Sequence, residues 1–278
     1  MVTSSPAGIR STWPIFQELL RTGCSKNDFK SIAMKRFKIW WLAVLSLIVA
    51  GENSLQAQPS DSAVIMVLTH YDVKPPYQQK FRKALWNYVF SSLKADGNIM
   101  AEAYYEEGNP SGIWMIERWS SRSFHDENIK SGVAKAILAL TKDGLASPVD
   151  IVFAEDLEPI SKEAYRKTFK IGDQPITIML FVDAKEGTES VFKSLYHVAM
   201  PEFRSEPGVL TYQLSQVSDD KTKFITYEKF RNEAAFQYHL KIPAVEPVIA
   251  YLRTSIKEQP FEKGLHRLIE FAPLFREE

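Results

Sequence analysis

The sequence predicts an α+β protein in which two ferredoxin-like βαββαβ units pack sheet to sheet as one barrel within a single chain. Residues 65–130 can be laid on residues 176–241 without a gap, and the same order of element types then appears in both segments. The third strand of each unit also carries bulky residues on both faces. A strand covered by helices on one side only should alternate apolar and polar residues, so a second layer is expected on the other side.

Each unit begins with an apolar run typical of a strand, followed by a turn and an amphipathic helix. The strands read AVIMVLTHYDV and PITIMLFVDA. In the helices, apolar residues recur at i, i+4 and i+7, which is the spacing of one helix face. The turns that close the helices contain Gly97 and Gly208.

Two strands joined by hairpin turns follow, IMAEAYYEE with GIWMIERW and VLTYQLSQV with KFITYEKF. A second helix is predicted to start near Ser121 or Asn232, because Ser and Asn are good N-caps. The last strands read VDIVFAEDL and LHRLIEFAPL. The resulting order is the split βαβ arrangement. We place the first domain at 62–160, a polar linker at 161–175 and the second domain at 176–275.

The N-terminal region indicates export. Residues 34–57 combine a basic start, an apolar run of about twelve residues and a small residue at the end, which is the pattern of a signal peptide. We therefore expect a bacterial periplasmic or secreted protein, held at the membrane only if the signal is uncleaved. Residues 1–33 precede the signal and are expected to be a non-structural extension.

Composition excludes several classes of site. The formal net charge of the chain is zero, so there is no basic footprint for a nucleic acid. The one cysteine, Cys24, precedes the predicted signal, which excludes thiolate chemistry from the two domains. The five histidines are scattered, so no metal site is expected.

The motifs resemble those of the antibiotic biosynthesis monooxygenase (ABM) family of dimeric α+β barrels. The second unit matches best, at Lys185-Glu186-Gly187, Glu206-Pro207-Gly208, Tyr212, Glu228 and His239-Leu240. The first unit has Asn128 where the second has His239. The resemblance covers nearly all of the two domains.

The resemblance implies oxygenation of a small aromatic or quinol-type molecule by dioxygen, with no metal, flavin or haem. The protein would supply a base, a donor for the developing oxyanion and a dry aromatic cavity. The alternative is a non-catalytic module that holds a small ligand or a partner protein in the same barrel. Whether the chain pairs further into a homodimer stays open.

His239 is the candidate catalytic base, because a histidine titrates near neutrality. A packing or capping role at a helix end is the alternative. His197 is a candidate second base in the same cavity, and a surface histidine is the alternative. Asn128 can donate to a substrate oxygen but cannot act as a base, so we expect one competent pocket, in the second unit.

Glu117 and Glu228 recur near the end of the third strand, on the face of its bulky residues. Glu228 is a candidate pocket residue. The alternative is a salt bridge between the units, with Arg118 or Lys229 of the opposite one. Three aromatic residues could also line the pocket or simply form core: Tyr212, Tyr227 and Trp114.

Overall fold

The computed structural model describes residues 64–258 and 264–273. The predicted extension at 1–33 and the predicted signal at 34–57 lie outside these residues, as do the outermost residues of the two predicted domains. Within the described part, no helix is both long and apolar enough to cross a membrane.

Both copies follow the predicted order of elements. The first copy consists of β1 Ile65–Asp72, α1 Gln78–Ser92, β2 Asn98–Glu106, β3 Asn109–Trp119, α2 Arg122–Asn128, α3 Gly132–Gly144 and β4 Asp150–Leu157. A short helix, α4 Lys162–Tyr165, lies between the copies. The second copy consists of β5 Ile176–Asp183, α5 Glu189–Ser205, β6 Val209–Val217, β7 Lys223–Phe230, α6 Glu233–His239, α7 Val245–Thr254 and β8 Leu265–Ala272. The second helix of each copy is therefore divided into two segments.

The eight strands form one closed barrel in the order β1-β3-β2-β8-β5-β7-β6-β4. Within each copy the strands pair as the predicted unit requires. Two further antiparallel pairings, β2 with β8 and β4 with β6, join the copies at both edges. The predicted α+β barrel is confirmed, and its closure leaves none of the described strands with an unpaired edge.

The buried apolar residues form three clusters, one between each copy's sheet and helices and one inside the barrel. On β3, Ile113 and Met115 face the helices of the first copy, whereas Trp114 and Ile116 face the barrel interior. This alternation follows from the two-residue period of a strand. It explains why the third strands carry bulky residues on both faces.

Two glycines let the second helix of each copy approach the turn before the second strand. A Cβ atom added at Gly208 would lie 2.3 Å from the Cβ of Ala235 on α6, and one added at Gly97 would lie 2.2 Å from the ring of Phe124 on α2. Gly97 also has a φ of +72°, a conformation that side chains disfavour. A larger residue at either place would push the helix away from the sheet.

The segment predicted as a polar linker contributes to the barrel core. Tyr165 and Phe169 are buried. The Tyr165 hydroxyl donates to Asp156 Oδ2 over 2.6 Å, and the guanidinium of Arg118 lies 4.7 Å from the Tyr165 ring centroid. The linker therefore packs against the residues of the barrel interior.

Buried charges cross the barrel interior. Arg118 Nε lies 2.8 Å from Asp156 Oδ2, and Lys229 Nζ lies 2.8 Å from Glu102 Oε1 and 2.7 Å from Glu270 Oε2. The Lys229–Glu102 pair joins the second copy to the first. Removing one member of such a pair leaves an uncompensated buried charge and costs about 3–5 kcal/mol.

The alternative that paired Glu117 or Glu228 with Arg118 or Lys229 is wrong. Glu117 accepts hydrogen bonds from Tyr88 and Trp119, and Glu228 accepts them from Tyr212 and Thr226. Successive side chains of a strand point to opposite faces, so the cations point into the barrel while both glutamates point toward the helices.

Candidate functional site

A cavity of about 400 Å³ lies where β4 of the first copy pairs with β6 of the second. Small-molecule sites commonly have volumes of about 300–1,000 Å³. Both copies contribute to its wall, so neither copy alone forms it. We name it the seam cavity and define it by its lining residues: Asp156, Leu157, Glu158, Lys193, Ser194, Tyr196, His197, Met200 and Leu214.

One helix and two strands build the seam cavity. Helix α5 presents Lys193, Tyr196 and Met200 toward it, at the three- to four-residue spacing that puts side chains on one helix face. Leu157 of β4 stands opposite Leu214 of β6 in the pairing of these strands. The two leucines give the cavity an apolar wall that a planar organic molecule could pack against.

His197 and Glu158 form a pair on the wall of the cavity. His197 Nδ1 lies 2.5 Å from Glu158 Oε1, and the His197 side chain is 74% exposed. The pair therefore lies at the solvent-facing rim. A histidine oriented by a carboxylate in this way is able to accept a proton from a bound hydroxyl group.

Glu158 has a strained backbone. Its φ is +56°, which costs a residue with a Cβ atom roughly 1–2 kcal/mol. Arg204 Nη2 donates to the Glu158 carbonyl oxygen over 2.9 Å and holds the residue in place. Strained residues held by their surroundings cluster at functional sites, which adds weight to this wall of the cavity.

The inner wall of the cavity leads to a buried carboxyl group. Tyr196 lines the cavity but is only 2% exposed, and its ring lies 6.4 Å from that of Tyr212, centroid to centroid. Tyr212 Oη donates to Glu228 Oε1 over 2.9 Å, and Thr226 Oγ1 donates to the same oxygen over 2.8 Å.

Burial governs the titration of these three groups. It raises the pKa of the Glu228 carboxyl above its usual range. It also raises the pKa values of Tyr196 and Tyr212, and the charge of Glu228 raises them further. Both tyrosines therefore stay neutral at physiological pH, while Glu228 gains affinity for a proton.

His239 lies behind the inner wall of the seam cavity. It ends α6, is 2% exposed, and its Nδ1 lies 2.7 Å from Glu206 Oε1. Its ring is 4.8 Å from that of Phe203 and 5.3 Å from that of Tyr212, centroid to centroid. His239 is not among the residues that line the seam cavity. Burial raises the pKa of Glu228, and the neighbouring His239 offsets part of that rise, so the two groups interact.

Asn128 occupies the place of His239 in the first copy and has different partners. Its Nδ2 donates to Tyr88 Oη over 3.0 Å and to Ser92 Oγ over 2.9 Å. Tyr88 Oη in turn donates to Glu117 Oε1 over 3.2 Å. Burial raises the pKa of the Glu117 carboxyl to about 8.

Tyr227 and Trp114 lie inside the barrel rather than beside His239. Tyr227 Oη donates to Glu102 Oε2 over 2.6 Å. The Trp114 ring packs against two imidazoles, with centroids 4.2 Å from His70 and 4.9 Å from His266.

The seven residues predicted for the site therefore occupy four places. His197 lies on the cavity wall; Tyr212, Glu228 and His239 lie behind it; Asn128 lies in the first copy; Tyr227 and Trp114 lie in the barrel interior. His197 lines the seam cavity without His239, since the rings of Phe203 and Tyr212 contact both His239 and the lining residue Tyr196.

Sequence reasoning missed the first copy's contribution to the cavity, residues 156–158. The only local signal is the pair Glu158-Pro159 directly after a strand, which does not reveal that the end of β4 shares a cavity with α5. Across residues 64–258 and 264–273, no three His, Cys, Asp or Glu side chains form a group suited to a metal ion.

Comparison with known proteins agrees with the two-copy architecture. The model of the antibiotic biosynthesis monooxygenase family matches twice, over residues 64–139 and 175–250. An uncharacterised protein of Synechocystis is 26% identical over 105 residues, which span 38% of this chain and 71% of that protein.

Solved structures share the fold at low identity. A provisionally assigned monooxygenase of Lactobacillus acidophilus has a TM-score of 0.63 and 15% identity, covering 75% of this chain and 94% of its own. A second such protein, from Fusobacterium nucleatum, has a TM-score of 0.61 and 13% identity, covering 75% and 92%. An anthrone oxidase-like protein has a TM-score of 0.54 and 10% identity, covering 79% and 98%. The family model matches more than half of the chain in two tandem segments, and the chain therefore belongs to the antibiotic biosynthesis monooxygenase family.

Proposed function

We propose that this chain is a monooxygenase that uses dioxygen to oxidise a small hydroxylated aromatic or quinol-type molecule bound in the seam cavity. Family membership supports oxygenase chemistry, and the resemblance implies that no metal or organic cofactor is needed. The observation that carries the proposal is a cavity of about 400 Å³ whose wall combines apolar side chains with groups able to accept a proton.

The reaction requires of the protein a cavity that fits the aromatic ring and a group that takes up the proton of the substrate's hydroxyl group. Removing the proton of a substrate O–H group makes the ring electron-rich enough to reduce dioxygen. One oxygen atom then stays on the ring carbon and the other leaves as water. Leu157, Met200 and Leu214 would hold the ring, while the proton would leave through a neighbouring side chain.

The assignment of His239 as the base stays a prediction. A general base must reach the proton that it removes, directly or through one water molecule. The position of His239 behind Tyr212 and Phe203 favours a first proton acceptor on the cavity wall instead. Two wall groups offer a route for the proton, His197 with Glu158 at the rim and Tyr196 at the inner end.

Filling the cavity tests the proposal. Oxygen consumption is measured with a panel of anthrones and quinols for the wild type and for Ser194→Trp, because Ser194 is an exposed lining residue of α5. We expect the indole to occupy the cavity mouth and lower kcat/KM by at least about tenfold, or ~1.4 kcal/mol of transition-state binding.

Val198→Trp is the matched control. Val198 lies on the same helix, is 79% exposed and does not line the cavity. Its variant should keep wild-type activity. Equal activity of both variants would contradict the placement of the site. Thermal stabilisation by panel compounds without oxygen consumption would instead support the non-catalytic binding module.

A further inference from the structure

Tyr196, Tyr212 and Glu228 form a row that runs from the cavity to the buried carboxyl group. Tyr196 lies on α5 and lines the cavity, Tyr212 lies on β6, and Glu228 lies on β7. The rings of Tyr196 and Tyr212 are 6.4 Å apart, centroid to centroid, and Tyr212 Oη donates a hydrogen bond to Glu228 Oε1 over 2.9 Å. The row thus joins the cavity to a carboxylate that the cavity itself does not touch.

We infer that this row is the path by which the substrate's hydroxyl proton leaves the cavity, with Glu228 as the final acceptor. The inference rests on the proposed function, because it takes the phenol or quinol of that reaction as the proton donor. It assigns Tyr196 to substrate contact and Tyr212 to proton relay. His239 and Glu206 then position the row from behind.

Three protons move together in this transfer. The substrate O–H bond breaks and its proton joins the Tyr196 oxygen, while the electron pair stays on the substrate oxygen. The Tyr196 proton moves to the Tyr212 oxygen, and the Tyr212 proton joins the Glu228 carboxylate. The negative charge has then moved from Glu228 to the substrate, where it activates the ring toward dioxygen.

The surroundings of Glu228 suit this role. The titratable groups that act on its carboxyl are Tyr212, His239 and Glu206, and Thr226 adds a neutral donor. Neither tyrosine ionises readily in this environment, since burial disfavours a phenolate. A concerted shift avoids forming such a charge at either tyrosine.

The first copy retains the carboxyl group but not the row. Glu117 stands where the second copy has Glu228, whereas Leu85 and Ala101 stand at the places of Tyr196 and Tyr212. Both are fully buried apolar residues. The path is therefore a feature of the second copy alone, which makes Glu117 a control within the same chain.

A chromogenic phenol tests the path without requiring turnover. We use 4-nitrophenol at a pH where the free probe is mainly neutral, and read the absorbance of its anion when it is bound to the full chain. The wild type should bind the probe as the anion. Tyr212→Phe and Glu228→Gln should bind it in the neutral form, while Glu117→Gln should behave as the wild type.

Each outcome decides the inference. A bound anion that persists in both Tyr212→Phe and Glu228→Gln would overturn the path, as would a neutral or unbound probe in the wild type. Circular dichroism checks that all variants are folded. Oxygen consumption with the quinol panel decides the proposed function separately. If the wild type turns over, kcat should fall by about 10²–10⁴-fold in both row variants.

Discussion

Glu117 and Glu228 occupy equivalent positions on β3 and β7, and both carboxyl groups are buried. Their hydroxyl donors differ, because Tyr88 of α1 reaches Glu117 whereas Tyr212 of β6 reaches Glu228. Glu228 therefore lies at the end of a row of side chains that reaches a cavity, whereas Glu117 is hydrogen-bonded to helix α1 within the core of the first copy. What decides its role is the set of groups that surrounds it.

Glu117→Gln should remove a pH dependence of stability. The folded-state pKa of Glu117 is raised to about 8 from an ordinary value of 4.5. At a pH above 4.5, Glu117 loses its proton in the unfolded chain but keeps it in the folded chain. Glu117 therefore stabilises the fold most at low pH. The contribution of Glu117 to the free energy of unfolding declines by at most about 1.4 kcal/mol per pH unit as the pH rises from 4.5 to about 8.

Urea denaturation between pH 5 and pH 8 measures the difference. The wild type should lose stability relative to Glu117→Gln as pH rises, because Gln has no proton to release. Parallel free energies of unfolding across this range would contradict the burial of a neutral Glu117.

The sequence predicts which face of the strand these glutamates occupy, since a period of two is enough for that. It does not predict the hydrogen-bond partners of these glutamates, because those depend on where each helix packs on the sheet. His239 illustrates the same limit. Its place near the end of α6 follows from Pro243 downstream, but its separation from the cavity depends on the packing of Phe203 and Tyr212.

At the scale of elements, each second helix is divided in the same place. Helices α2 and α6 end at Asn128 and His239, and α3 and α7 begin again four and six residues later. In the second copy Pro243 signals this break, whereas the first copy has no proline there and the break is visible only in the structure. The short first segments α2 and α6 bring Asn128 and His239 close to the sheet.

Gly208→Ala should push α6 away from the sheet. The added Cβ would lie 2.3 Å from that of Ala235, and the Ala235 Cα lies 3.2 Å away, so the helix backbone must shift. Overpacking of this kind typically costs about 1–3 kcal/mol. The urea midpoint of unfolding measures the loss.

Gly132→Ala is the control for this substitution. An added Cβ at Gly132 would meet nothing within 4 Å, and Gly132 is the first residue of α3, where a helix accepts Ala without strain. Its variant should be as stable as the wild type or more so. Equal midpoints for Gly208→Ala and Gly132→Ala would contradict the close approach of α6.

At the scale of the whole molecule, duplication within one chain supplies both edges that close the barrel. The bulky third strands predict that the two sheets cover each other. They do not predict that β4 of the first copy completes a cavity under α5 of the second, because that contact joins elements far apart in sequence. The copies thus share one cavity wall while differing in the groups behind it.

An anaerobic crystal structure with a quinol bound tests most directly whether the seam cavity is the site. We expect the ring between Leu157 and Met200, with its hydroxyl group within hydrogen-bonding distance of the Tyr196 oxygen. Density for the quinol beside His239, inside the barrel between Trp114 and Tyr227, or nowhere in a crystal soaked at saturating concentration would contradict this placement.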